Sequence, residues 1–222
     1  MSVHLVGAYS GRRACGLDTR ESGLKRRHVA YAAVVALFAI LMPSFAYAAP
    51  TPQVIADTPY PVGIAEDAAG NVYLADDDNP DTSLRGLVVV PASTGTLFGS
   101  SVSEGVQQTL IPQSSLGGAA RGVAVSSVGD VYISDSSGRI SVLASANRTI
   151  FGTSVTANSL TTLASGTALR GPIEFDSSGN LFGIHQSSNT LSVIPVSTGS
   201  LFGVGVTANT AATILTYAGG WF

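Results

Sequence analysis

The sequence predicts an all-β fold, a partial β-propeller of about three four-stranded blades preceded by a helical signal segment. Three observations predict it. A unit of about 50 residues is written three times. It appears as Gly63-Ile64-Ala65-Glu66-Asp67-Ala68-Ala69-Gly70-Asn71-Val72-Tyr73-Leu74, again from Gly122 to Ile133, and more loosely from Pro172 to Gly183. A second landmark keeps step: Phe98-Gly99, Phe151-Gly152 and Phe202-Gly203, spaced 151 − 98 = 53 and 202 − 151 = 51. Third, only 11% of the residues are charged while Gly alone numbers 25, a composition of short strands and turns.

The elements follow in order. Lys25-Arg26-Arg27-His28 is a basic patch ahead of an uncharged apolar run from Val29 to Met42, 42 − 28 = 14 residues long. Pro43 ends that run, and Ala46-Tyr47-Ala48 offers the small residues a signal peptidase reads. A bilayer span needs about 20 residues. Residues 1–48 are therefore read as a signal peptide, or as an N-terminal membrane anchor if uncleaved. Residues 49–222 hold the blades, at about 53–112, 113–164 and 165–222.

Each blade is expected to hold four strands. The first carries Ile64, Val123 or Ile173 on one side and Ala65, Ala124 or Glu174 on the other, which is expected to face the central channel. Gly70-Asn71, Gly129-Asp130 and Gly179-Asn180 are expected to make two-residue hairpin turns, since Gly with Asn or Asp tolerates positive φ. The second strands follow at Val72, Val131 and Leu181, and the third at Leu87–Val90, Ile140–Leu143 and Leu191–Ile194. Outer strands surround Leu110, Leu163 and Ile214. The first copy carries an insertion from Asp77 to Leu84. The repeated Phe is expected to pack between neighbouring blades.

Charge narrows the partners. Six of the 11 basic residues lie before Ala48, leaving five Arg and no Lys against 12 acids, a formal charge of 5 − 12 = −7. Such a surface repels phosphate backbones, so no nucleic-acid partner is expected. Membrane contact is expected only through the N-terminal segment. Cys15, the single cysteine, lies in the leader, so the blade domain has no disulfide.

Gly63 to Asp76 and Gly122 to Asp135 resemble the NHL repeat and its bacterial propeller relatives, whose blades carry Gly-Ile/Val-Ala followed by Gly-Asn-Val/Ile-Tyr-Val/Ile-Ala/Ser-Asp. The resemblance covers about residues 53 to 222. The third copy departs from it, with Pro172 for the Gly, Glu174 for the Ala and His185 at the place of Asp76 and Asp135. Such propellers have about six blades. Three copies therefore imply a longer natural chain or a homodimer completing a ring.

Candidate chemistry is positional. Asp76, Asp135 and His185 end successive second strands, and Arg121 and Arg170 precede first strands, so all fall on one loop face with Asp77, Asp78 and Asp81. This face is the expected ligand-binding surface: Asp76, Asp77, Asp78, Arg121, Asp135 and Arg170. Oxygen ligands there would suit a divalent cation such as calcium, with Glu174, Asp76 and Asp135 as candidates; otherwise each Asp caps its own turn. By resemblance to gluconolactonase-type propellers, Glu174 is a candidate catalytic or metal-binding carboxylate. His185 is the second catalytic candidate, though a two-histidine lyase mechanism is excluded because no other His lies beyond the leader. No cofactor is expected beyond such a divalent cation. Ser/Thr-rich, nearly charge-free blades point to a secreted, periplasmic or cell-envelope recognition module for a protein or glycan partner. A metal-dependent lactonase- or lyase-like enzyme is the alternative.

Overall fold

The computed structural model divides the chain into units of residues 1–52 and 53–222 and describes residues 61–218. The expected helical signal segment, its cleavage site and Cys15 lie outside the described residues. So does the segment after Ala218.

Three antiparallel meanders build the described domain. The first runs through β1 (Pro61–Glu66), β2 (Val72–Asp76) and β3 (Gly86–Val90). A small hairpin of β4 (Gly95–Leu97) and β5 (Ser100–Val102) follows, and then outer strand β6 (Gln108–Pro112). The second repeats the plan with β7 (Ala120–Val125), β8 (Val131–Asp135), β9 (Ile140–Leu143), hairpin β10 (Arg148–Ile150) and β11 (Thr153–Val155), and β12 (Leu160–Ala164). The third has β13 (Ile173–Phe175), β14 (Leu181–His185), β15 (Thr190–Ile194), hairpin β16 (Gly199–Leu201) and β17 (Val204–Val206), and β18 (Ala212–Thr216). The architecture is propeller-like, with three four-stranded blades. The Asp77–Leu84 insertion forms the β2–β3 connection and ends in a single 3-10 turn, Thr82–Leu84.

The blades stack through alternate side chains of each strand. Tyr73, Leu87 and Val89 of the first blade share a core with Val123, Val131, Ile133 and Leu143 of the second. The opposite faces of those second-blade strands, Ala124, Tyr132 and Val142, pack with Ile173, Leu181 and Ile194 of the third. Leu74, Val88 and Val90 form a separate cluster on the first blade's other face. Where first strands meet, glycine is required. A methyl on Gly122 would stand 2.6 Å from the Gly171 carbonyl oxygen, and one on Gly63 3.0 Å from the Gly122 Cα. Ser134 ties the same junction by donating to the Gly171 carbonyl at 2.6 Å.

Two local expectations change. The Gly-Asn pairs are not two-residue turns. Asp67 to Asn71 forms a longer connection in which Gly70 N–H donates to the Asp67 carbonyl at 3.0 Å. Only Gly70, Gly129 and Gly179 are left-handed, at φ 85°, 83° and 85°. The residue after each Gly turns inward instead. Asn71, Asp130 and Asn180 accept the backbone N–H of Ala92, Ser145 and Val196 at 2.9, 2.7 and 3.0 Å, pinning the loop after the third strand. The Asn71 and Asn180 side chains therefore join that loop to the turn, since their Nδ2 groups also donate to Asp67 and Asp176 at 2.8 Å.

The second change is an added hairpin. Each Phe-Gly pair is the turn of β4–β5, β10–β11 or β16–β17, with both residues left-handed; Phe98, Phe151 and Phe202 sit at φ 46°, 43° and 51°. The rings meet the second-strand aromatic of their own blade edge-on, Phe98 to Tyr73 at 6.5 Å, Phe151 to Tyr132 at 6.4 Å and Phe202 to Phe182 at 6.2 Å. Phe98 and Phe151 also pack against the inter-blade cores.

Candidate ligand-binding site

The β2–β3 type loops and the connections between blades share one end of the domain. Asp76 ends β2 fully buried, and its carboxylate takes the backbone and side-chain N–H groups of Asn79, both at 3.1 Å. Asp135 ends β8 equally buried. Its Oδ1 accepts from Ser137 N–H, the Ser137 hydroxyl and Arg139 N–H at 2.9, 2.5 and 3.1 Å, and its Oδ2 from Gly117 N–H at 2.8 Å. Both carboxylates are spent on holding their own loops. Asp81 does the same for the 3-10 turn through Ser83, whose hydroxyl and N–H hold its pKa below the usual carboxylate value. Asp78 is exposed and pairs loosely with Arg85 at 3.5 Å.

The remaining polar groups behave differently. Arg121, one residue into β7, forms a 2.7 Å ion pair with largely buried Asp77. Arg170 is exposed, its Nε donating to the Thr167 carbonyl at 3.4 Å. His185 ends β14, and its Nδ1 accepts the Ser188 N–H at 3.0 Å beside the Ser188 hydroxyl. With Nδ1 accepting, the ring proton belongs on Nε2. Burial, then the nearby Arg170 charge, lowers the His185 pKa and favours the neutral ring. Arg121, Arg170 and His185 line one pocket of about 380 Å³ with Ser136, Ser187, Val62 and Pro172. Ser136 Oγ accepts Ala119 N–H at 3.0 Å, which leaves its hydrogen to donate.

Glu174 does not join this pocket. At Ala65 and Ala124 that side of the first strand packs into the core shared with the next blade. Glu174, opposite Phe182 across β13 and β14, therefore stands exposed on the third blade's uncovered face. It lines a second, apolar cleft of about 480 Å³ with Val62, Ile64, Val123, Pro172 and Ile184. Among the described residues no three His, Asp or Glu side chains come together as cation ligands, so Glu174, Asp76 and Asp135 do not form a shared site.

Sequence reasoning missed a cavity of about 570 Å³ between the second and third blades, lined by Tyr132, Phe151 and Phe175. At its edge Arg148 pairs with buried Asp130 at 3.1 Å. Asp130, the one acid among the three residues that follow the repeated turn Gly, is the available signal, and turn chemistry accounts for it first. No protein-family model matches the chain, and no curated protein matches it. The fold and the site stand on the chain's own residues.

Proposed function

We propose that the chain is an exported, non-enzymatic recognition module that presents the Arg121–Arg170–His185 pocket to a protein, glycan or other envelope partner. One observation carries the reading: the loop-face carboxylates Asp76 and Asp135 are buried and engaged by N–H groups of the adjoining loops, whereas the groups left facing the pocket are hydrogen-bond donors. A donor-lined hollow on a rigid blade stack is suited to holding a ligand. The resemblance to NHL-type propellers supports the same role, and the leader's basic patch, apolar run and Ala-x-Ala site support export.

The test is retention of the purified protein on cell-envelope fragments of its own source. Wild type is expected to be retained, and the Arg121→Ala/Arg170→Ala double variant to lose at least about tenfold. Equal retention of the two proteins overturns the assignment of this face.

A further inference from the structure

We propose that the donor-lined pocket and the apolar cleft beside it form one site for a small amphipathic monocarboxylate. Its carboxylate would be held by Arg170, the His185 Nε2–H and the Ser136 hydroxyl, and its apolar body would lie along β13. This rests on the recognition role above and names the ligand class of that same face.

Composition of the pocket wall is the first support. Its polar side chains are two guanidiniums, an imidazole whose Nδ1 is already taken, and two serine hydroxyls. Every one of them can donate a hydrogen bond, and a carboxylate is an acceptor through all its lone pairs.

Charge sets the valence. Arg121 is neutralised by Asp77 at 2.7 Å, and His185 is held toward its neutral form. Arg170 pairs with no carboxylate within 4.0 Å among the described residues, and its one contact there is to a carbonyl. One unmatched positive charge suits a monoanion. A phosphate dianion or a polyanion would be left undercompensated.

The apolar half follows from continuity. Val62 and Pro172 line both hollows, so the pocket opens directly onto the cleft walled by Ile64, Val123, Ile173 and Ile184. Ile64 is 69% exposed there, while its counterparts Val123 and Ile173 are 3% and 4% exposed. An aliphatic chain laid along β13 covers that surface and takes its own methylenes out of water. Glu174, two residues beyond Pro172, puts a negative charge further along the cleft and disfavours a second acid group.

Calorimetric titration of the full chain with octanoate, acetate, octan-1-ol, suberate and galacturonate tests this. Octanoate is expected to bind at least tenfold more tightly than each of the other four. Arg170→Ala should remove at least tenfold of the octanoate affinity and leave octan-1-ol unchanged, with Arg170→Lys retaining part of the octanoate affinity. Because Arg170 is exposed, an unchanged unfolding midpoint will show that the variants are folded. Octan-1-ol equal to octanoate, a preference for galacturonate or suberate, or no octanoate binding each overturns the proposal. If envelope retention persists while octanoate fails, the ligand class alone is wrong; loss of both removes the recognition role as well.

Discussion

Asp67 is one residue on which the chemistry of the repeat turns. Its carboxylate accepts from Ala69 N–H and Asn71 N–H at 2.9 Å, from Asn71 Nδ2 at 2.8 Å and from the Tyr73 hydroxyl at 2.9 Å. Burial alone would raise its pKa, but the bonds from Asn71, Tyr73 and Ala69 outweigh burial and hold it below the ordinary value. Tyr73 is pushed the other way, by burial first and then by the Asp67 bond and charge. A carboxylate whose folded pKa is depressed stabilises the fold above its unfolded value of about 3.9, and that stability is lost as pH falls through the folded value. Asp67→Asn is expected to cost about 1–2 kcal/mol at neutral pH, and to flatten the loss of stability below about pH 4. Urea unfolding at pH 7 and pH 3 measures both. A variant as stable as wild type at pH 7 would show that the carboxylate is dispensable. Asp176 makes the same amide bonds in the third blade, without the hydroxyl bond because Phe182 stands in place of Tyr73, whereas the second has Ser126, a hydroxyl with no such acid limb. Repeat spacing marks these positions as turns. It does not reveal that the acid before the Gly organises the turn, or that the Asn or Asp after it also pins the loop following the third strand.

At the scale of elements, the main strands are legible because period-two alternation and the Gly punctuation both report backbone geometry. The small hairpins are not. Phe is a poor left-handed residue, so nothing in Phe-Gly announces a type I′ turn, and each copy carries about 1–2 kcal/mol of backbone cost. What offsets it is the ring. Phe98 is half-buried against Tyr73 and the inter-blade core, while Phe202 is 79% exposed and meets Phe182 edge-on. The same substitution should therefore have opposite signs at the two sites. Phe98→Asn loses more packing than it gains in φ relief and is expected to destabilise by about 1–2 kcal/mol. Phe202→Asn keeps the relief and is expected to stabilise by about 0.5–1 kcal/mol. Thermal unfolding of the two variants decides it, and shifts of equal sign would mean that backbone strain does not govern these turns. The loop face divides in the same way. Positional reasoning puts Arg121, Arg170 and His185 at one end, and they line one pocket. Of the two readings open in the sequence for Asp76 and Asp135, a ligand face or a turn cap, the loop N–H groups they accept favour the cap.

For the whole molecule, the third blade repeats the surface by which each earlier blade receives the next. Phe182 and Phe202 occupy the places of Tyr132 and Phe151, yet Phe202, Leu215 and Tyr217 are 79%, 51% and 49% exposed. Such a face promotes association with another apolar blade face, such as that carrying exposed Ile64. Glu174 opposes it. It stands where the first two blades have Ala65 and Ala124, and a blade packed there would bury a carboxylate with no cation beside it, a cost of several kcal/mol. A single inward-pointing charge is a known guard against unwanted sheet packing. Restoring the repeat residue with Glu174→Ala should remove the guard and raise self-association at least about tenfold over wild type, read as concentration-dependent mass by light scattering. Glu174→Gln should fall between them, because an amide is easier to bury than a carboxylate but still leaves polar atoms unmatched. If all three proteins associate equally, the charge is irrelevant to that face and its exposure needs another cause.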